Sequence, residues 1–179
     1  MKIFLVGVSC VGKTTIGSRL AEIVGYKFFN LDTFVEEYYG MSLERLQGKL
    51  LTMYSFRIEA AKALKHLIDN NKGENYIVAL PPSGLMGGYL NVIKKTDCLV
   101  IAIHDNPENI LDRIVFYDKD SKPILKTLNE KDKRYYLSDI KKDITYFGKS
   151  YKRANLHIDI SGLDVECSAK KIAEVVKFV

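Results

Sequence analysis

Apolar residues in this chain fall into short unbroken runs, separated by stretches whose apolar positions recur at helical spacing. Ile3-Phe4-Leu5-Val6, Lys27-Phe28-Phe29-Asn30, Tyr76-Ile77-Val78-Ala79-Leu80, Cys98-Leu99-Val100-Ile101-Ala102-Ile103 and Leu156-His157-Ile158-Asp159 read as five strands. Their unbroken apolar character predicts a sheet covered on both faces. Ile16, Leu20, Ile23 and Val24 mark a helix from about Lys13 to Val24, with Gly25 placed to end it. Asp32 is positioned to cap a short helix, Phe34 to Tyr39, closed by Gly40, and Ser42 to cap the next, Leu43 to Gln47. Phe56, Ala60, Ala63, Leu64 and Leu67 share one face of a helix over Met53 to Asp69. Pro81-Pro82-Ser83-Gly84 can continue neither a strand nor a helix. A short helix is expected over Leu85 to Lys94. Asn106-Pro107-Glu108 opens another, carrying Ile110, Leu111, Ile114 and Val115. Periodicity fades and charge rises from Tyr117 to Lys126, which reads as a mobile loop. A long helix follows from Glu130 to Arg153, with Leu137, Ile140, Ile144, Phe147 and Tyr151 as its buried stripe. Asp164 caps a last helix to about Phe178.

Strands alternating with helices predict an α/β fold with a five-stranded parallel sheet in a three-layer α/β/α arrangement. Such sheets take ligands beyond the carboxyl ends of their strands. At that edge of the first strand lies Gly7-Val8-Ser9-Cys10-Val11-Gly12-Lys13-Thr14-Thr15, which fits Gly, four residues, Gly-Lys-Ser/Thr, between a strand and a helix. The loop presents backbone N–H groups and the helix its positive end, a cradle for a polyphosphate. Lys13 then reaches the outer phosphates and the Thr14 hydroxyl ligates Mg²⁺. This is a P-loop NTPase fold in expectation, with ATP as co-substrate and Mg²⁺ as cofactor.

Length and composition narrow the setting. The chain has 179 residues, enough for one domain over 1–179 with a sizeable core. Hydrophobic residues make 47% and charged residues 27%, which excludes disorder. The longest apolar runs are far shorter than the roughly twenty residues of a membrane helix. The first strand begins at once, leaving no room for a signal peptide. A cytoplasmic protein without membrane association is expected. Cys10, Cys98 and Cys167 are too few and too dispersed for a disulfide framework or a zinc site. Cys98 and Cys167 read as small core residues and Cys10 as a spacer in the phosphate loop. His66, His104 and His157 read as structural, and many of the tyrosines as packing residues. The formal charge of +5 fits a nucleic acid or an anionic small molecule equally well. Much of the excess lies in Lys131 to Arg153, whose basic face reads as a solvated helix side without a nucleic-acid motif.

With Asp32, Arg57 and the Lys122-Pro123 pair added to the phosphate loop, the chain resembles shikimate kinase, within the nucleoside-monophosphate-kinase-like group. The likeness runs over nearly the full length. It rests on the opening through Thr15-Ile16-Gly17, on Asn30-Leu31-Asp32, Ser55-Phe56-Arg57, Leu111-Asp112-Arg113, Lys122-Pro123-Ile124-Leu125 and Ala154-Asn155-Leu156. The resemblance implies that Gly7, Val11, Gly12, Lys13, Thr14 and Thr15 hold ATP and that Arg113 packs on its adenine. It implies that Lys13 stabilises the transferred phosphoryl group, that Asp32 orients the acceptor hydroxyl and takes its proton, and that Arg57 pairs with an acceptor carboxylate. It makes residues 32–60 an acceptor-binding insertion and 117–127 a mobile lid from which Lys122 closes onto the phosphates. A monomer is expected.

Read without the resemblance, Asp32 is also explained as a helix cap, Arg57 as a surface arginine, Arg113 as a solvated helix-end charge and Lys122 as a loop charge. Four departures from the family pattern bear on the acceptor. Asn30 stands where the family has Asp and reads as structural. Pro81-Pro82-Ser83 replaces a Gly-Gly-Gly loop, and prolines donate no N–H. Lys122 replaces an arginine and cannot form its bidentate fork. Tyr146 stands where a second carboxylate-binding arginine belongs, leaving Lys142 or Lys149 to substitute. The leading expectation is an ATP-dependent kinase of a small anionic hydroxylated metabolite, shikimate first. The alternatives are a nucleoside or nucleotide kinase, a nucleotide-binding regulatory protein without turnover, and a nucleic-acid binder using Lys131–Arg153.

Overall fold

The computed structural model describes residues 1–177. In chain order the elements begin with β1 (Lys2–Val6), α1 (Lys13–Val24), β2 (Lys27–Asn30), α2 (Leu31–Tyr39), α3 (Leu43–Gly48) and α4 (Met53–Asn70). They continue with β3 (Tyr76–Ala79), α5 (Gly87–Ile93), β4 (Leu99–His104), α6 (Pro107–Asp112), β5 (Phe116–Tyr117) and β6 (Pro123–Ile124). The last are α7 (Glu130–Tyr151), β7 (Leu156–Asp159) and α8 (Val165–Val176). Five strands form one parallel sheet in the order β2-β3-β1-β4-β7. Helices cover both sides; α1 packs on α8, and α4 on α5.

β1 is central because its run Ile3-Phe4-Leu5-Val6 is apolar on both faces, and all four residues are fully buried. Its pairing with β3 and β4 brings the phosphate loop to the middle of the sheet's carboxyl edge. Helix α1 lies close on the sheet at Gly17, where an added Cβ would stand 2.7 Å from Phe28 Cε2 and 2.9 Å from Leu5 Cδ1. Gly17→Ala is therefore expected to overpack this seam and cost about 1–3 kcal/mol, read as a lower urea midpoint with an unchanged m-value.

Several expectations are corrected. Helix α6 ends at Asp112, before Ile114 and Val115, and Val115 is exposed. The charged 117–126 stretch, expected without secondary structure, carries part of a small hairpin in which β5 and β6 pair antiparallel. Helix α7 stops at Tyr151, since the N–H groups of Arg153 and Ala154 bond back to Ser150 and Tyr151 in a tight final turn. Of its stripe, Ile140 and Tyr151 are buried, while Leu137, Ile144 and Phe147 are half-buried. Cys167 is exposed in the first turn of α8, and Cys98 is half-buried against the core. Tyr38, Tyr54, Tyr117, Tyr135 and Tyr146 are exposed rather than packed. His104 and His157 sit on neighbouring strands with ring nitrogens 2.9 Å apart, a pairing that sequence distance concealed. The last helix is described to Val176, and Phe178 lies outside the described residues. Among the described residues, no helix is long and apolar enough to cross a membrane.

Candidate active site

The phosphate loop leaves β1 at Gly7, where a Cβ would stand 2.8 Å from the Ile103 carbonyl oxygen; only glycine permits that approach. Gly12, with φ at +106°, turns the chain into α1. Helix α1 thus aims its free N–H groups and positive end into the opening. Lys13 folds over the loop and donates to the carbonyls of Gly7 (2.9 Å) and Val8 (2.8 Å). Burial pulls its ammonium down to about 8, against the attraction of Asp32 and of Cys10.

Strand β2 runs into α2 without a linker, so the cap position falls on Asn30 and not on Asp32. The Asn30 Oδ1 accepts the Asp32 N–H at 2.9 Å, and its Nδ2 donates to the Thr14 hydroxyl at 3.0 Å. This corrects the reading of Asp32 as the helix cap and bears out Asn30 as structural. Asp32, freed from capping, turns its carboxylate to the cleft. Asn30 fixes the Thr14 hydroxyl as well as the helix start. Burial pushes the Asp32 carboxyl above the usual range, opposed by Lys13 and reinforced by Glu36.

These groups line a cleft of about 700 Å³. Lys13, Thr14, Thr15 and Gly12 form its phosphate end, Asp32, Glu36 and Glu44 bring carboxylates to the lining, and Ala79, Leu80 and Pro82 bring apolar surface. Arg113 closes the phosphate end, its guanidinium tied to Asn109 O (2.9 Å), Val11 O (3.1 Å) and the nearly buried Asp105. Asp105 was not legible as a partner, though its spacing of eight residues from Arg113 spans α6. Gly7 and Val11 stand behind the loop surface: Gly7 O holds Lys13, and Val11 is fully buried.

Besides Gly7 and Val11, two more residues named by the resemblance, Arg57 and Lys122, fall outside the lining. Arg57 packs against the start of α5, where a Cβ on Gly87 would stand 3.7 Å from its Nε. That Nε is buried without a hydrogen-bond partner. Lys122 is exposed on the hairpin; its N–H bonds to Asp118 Oδ1 and its carbonyl accepts from Asp118 N–H, leaving the side chain in solvent. The hairpin reaches the cleft through Tyr117, Asp118 and Ser121 instead.

That hairpin is tied to α2 and α3. Ser42 Oγ donates to Lys119 O at 2.8 Å, Arg45 pairs with Asp120 at 2.7 Å, and Ser121 Oγ donates to Glu36. Glu36 also accepts the Leu43 N–H, so one carboxylate ties α2 to both α3 and the hairpin. Glu36 carried no motif in the sequence, because its partners are up to 85 residues away. The Arg45–Asp120 pair is solvent-exposed, so Arg45→Ala is expected to leave global stability within about 1 kcal/mol. The local tie should loosen, with amide exchange over 116–124 rising about fivefold.

The comparisons agree with this geometry. The shikimate kinase family model matches residues 9–177. A bifunctional shikimate kinase/3-dehydroquinate synthase of Thermotoga maritima is 29% identical over 142 residues, covering 76% of this chain. The chain spans only 27% of that relative's length. A shikimate kinase of Thermus thermophilus is 27% identical over 175 residues, covering 95% of this chain and 86% of the relative. The crystal structure of shikimate kinase from Aquifex aeolicus superposes with a TM-score of 0.72 at 25% identity, covering 99% of this chain and 96% of that one. With a phosphate loop, a carboxylate facing it and a family match over nearly its whole length, the chain belongs to the shikimate kinase family.

Proposed function

We propose that this chain is an ATP-dependent kinase that moves the γ-phosphoryl group of ATP to a hydroxyl of a small hydroxylated acid, with shikimate as first acceptor to test. One observation carries the reading: the half-buried carboxylate of Asp32 shares with Lys13, whose charge it senses, a single cleft whose phosphate end is a P-loop. Phosphoryl transfer needs cations at the phosphates and a carboxylate at the attacking hydroxyl. Lys13 and the N-terminus of α1 are the cations' side of that arrangement, and Asp32 is the other. Arg113 is read as the adenine-side residue.

Among the described residues, no group of three His, Cys, Asp or Glu side chains is arranged to hold a metal ion. Mg²⁺ is read as arriving with ATP, held by the Thr14 hydroxyl that Asn30 orients. It would supply neutralisation of phosphate charge. Residues 32–60 are read as the acceptor-binding insertion and 117–127 as the lid of one monomeric, cytoplasmic domain. Lid closure excludes water, which otherwise competes as acceptor.

The test is ADP release with shikimate, gluconate and nucleoside monophosphates in turn. Stimulation by shikimate is the expected result. Stimulation by a nucleoside monophosphate alone would replace the reading with a nucleotide kinase. Tight nucleotide binding with no stimulation by any acceptor would leave a binding protein without turnover.

A further inference from the structure

Arg113 lines the cleft, and each of its three guanidinium nitrogens already donates to a protein acceptor. Nε reaches Asn109 O at 2.9 Å, one terminal nitrogen reaches Val11 O at 3.1 Å, and the other meets the Asp105 carboxylate. A Cβ on Gly12 would stand 3.4 Å from the guanidinium, so the group lies against the start of α1. Hydrogen bonds from a guanidinium run in its own plane. A guanidinium that gripped phosphates would keep that edge free for a bidentate fork. Here the edge is turned to protein, and the planar face is what remains for a ligand. Such a face stacks on an aromatic ring.

Asp105 is built into this arrangement. It follows β4, whose pairing with β1 brings it to the edge from which the phosphate loop leaves. Its side chain is only 3% exposed. Oδ1 accepts the Asn106 N–H and an Asn109 Nδ2–H, both at 2.7 Å, and Oδ2 is left for Arg113. Burial works against its charge, but hydrogen bonds from Asn109, Arg113 and the Asn106 N–H hold the carboxyl below the usual carboxylate range. An ionised carboxylate fixed in this way offsets the charge of Arg113, leaving Lys13 as the cation for the phosphates. It also orders beforehand a long side chain that would otherwise lose its rotamer freedom when a ligand binds.

Resting on the kinase reading above, we propose that Asp105 is a positioning residue of the nucleotide site, holding the Arg113 guanidinium so that its face stacks on the base of the bound nucleotide. Asp105 acts only through Arg113. The pair also spans α6, from the residue before its cap to the residue after its end, so the test has to separate positioning from support of the helix.

Calorimetry on the full chain compares MgATP with magnesium tripolyphosphate, which carries phosphates without a base. The parent protein is expected to prefer MgATP by about tenfold. Asp105→Asn keeps the shape and removes the charge that holds Arg113, so the preference should drop to about twofold with tripolyphosphate affinity not weakened. Its KM for ATP should rise about fivefold, more than kcat falls. Arg113→Lys keeps the cation and loses the flat face, and it should show the same low preference. Adding Asp105→Asn to Arg113→Lys should lower the preference no further, and a further drop overturns the route through Arg113. An unchanged preference in Asp105→Asn or in Arg113→Lys overturns the proposal. An equal loss for both ligands in Asp105→Asn does so too, because it marks Asp105 as support for the fold alone. A parent protein that held both ligands equally would overturn the stacking and leave the kinase reading standing. One that bound neither would overturn the kinase reading, and this proposal with it.

Discussion

Lys13→Met is expected to lower turnover on the order of 10³-fold, the largest loss from any single change in this protein. The side chain is half-buried, and its two hydrogen bonds go to carbonyls of its own loop. Those bonds hold the ammonium over the opening and are weak competitors for a polyphosphate. Methionine keeps the length and apolar stem and removes only the charge, so a fold defect does not explain the loss. The pH profile supplies a second readout. With its ammonium drawn down to about 8 by burial, Lys13 loses its proton within an accessible range. Nucleotide affinity should therefore fall as pH rises through about 8, and that fall should be missing in Lys13→Met. Stability moves the other way. Between about 8 and 10.5 the unfolded chain holds a proton on Lys13 that the folded protein does not, so this group's contribution to stability rises with pH across that window. Urea unfolding at both ends of the window, compared with Lys13→Met, isolates it.

Asp32→Asn should lower kcat by roughly 10²–10³-fold while KM for the nucleotide changes little. Asparagine keeps the shape and cannot take a proton. Asp32's carboxyl lies above its ordinary range because it is buried, so it is poised to accept a proton from an attacking hydroxyl. In the parent protein kcat is expected to fall as pH drops through that raised value, and Asp32→Asn should flatten this acid limb. The two residues are coupled. Asp32 supplies the strongest attraction holding a proton on Lys13. In Asp32→Asn the alkaline loss of nucleotide affinity should shift to lower pH. Calorimetric titrations of MgATP across pH would show it; an unshifted profile would mean that the two charges do not sense each other.

How much of this was legible in the chain depends on the range of the interactions. The five parallel strands, the glycine-lined loop and the positions of Lys13, Thr14 and Asp32 are written in residues close together in sequence. Backbone sterics, helix spacing and an unbroken apolar run act within a few residues, and they place the loop at the carboxyl edge without further help. The cap lies two residues before the position that local pattern predicts, because β2 and α2 abut, which only their hydrogen bonds reveal. The ties of the hairpin, Ser42 to Lys119 and Arg45 to Asp120, span more than seventy residues and leave no local pattern, so the chain alone predicts a loop there.

Taken alone, the amino-acid order determined the architecture and the phosphate end of the cleft, since both are built from local preferences. The acceptor end was decided only by tertiary structure. Whether Arg57, Lys122, Lys142 or Lys149 reaches the cleft depends on how α4, the hairpin and α7 pack, and packing puts all four outside its lining. Glu36, Glu44 and Asp118 enter it for the same reason: long-range packing brings α2, α3 and the hairpin together around one opening.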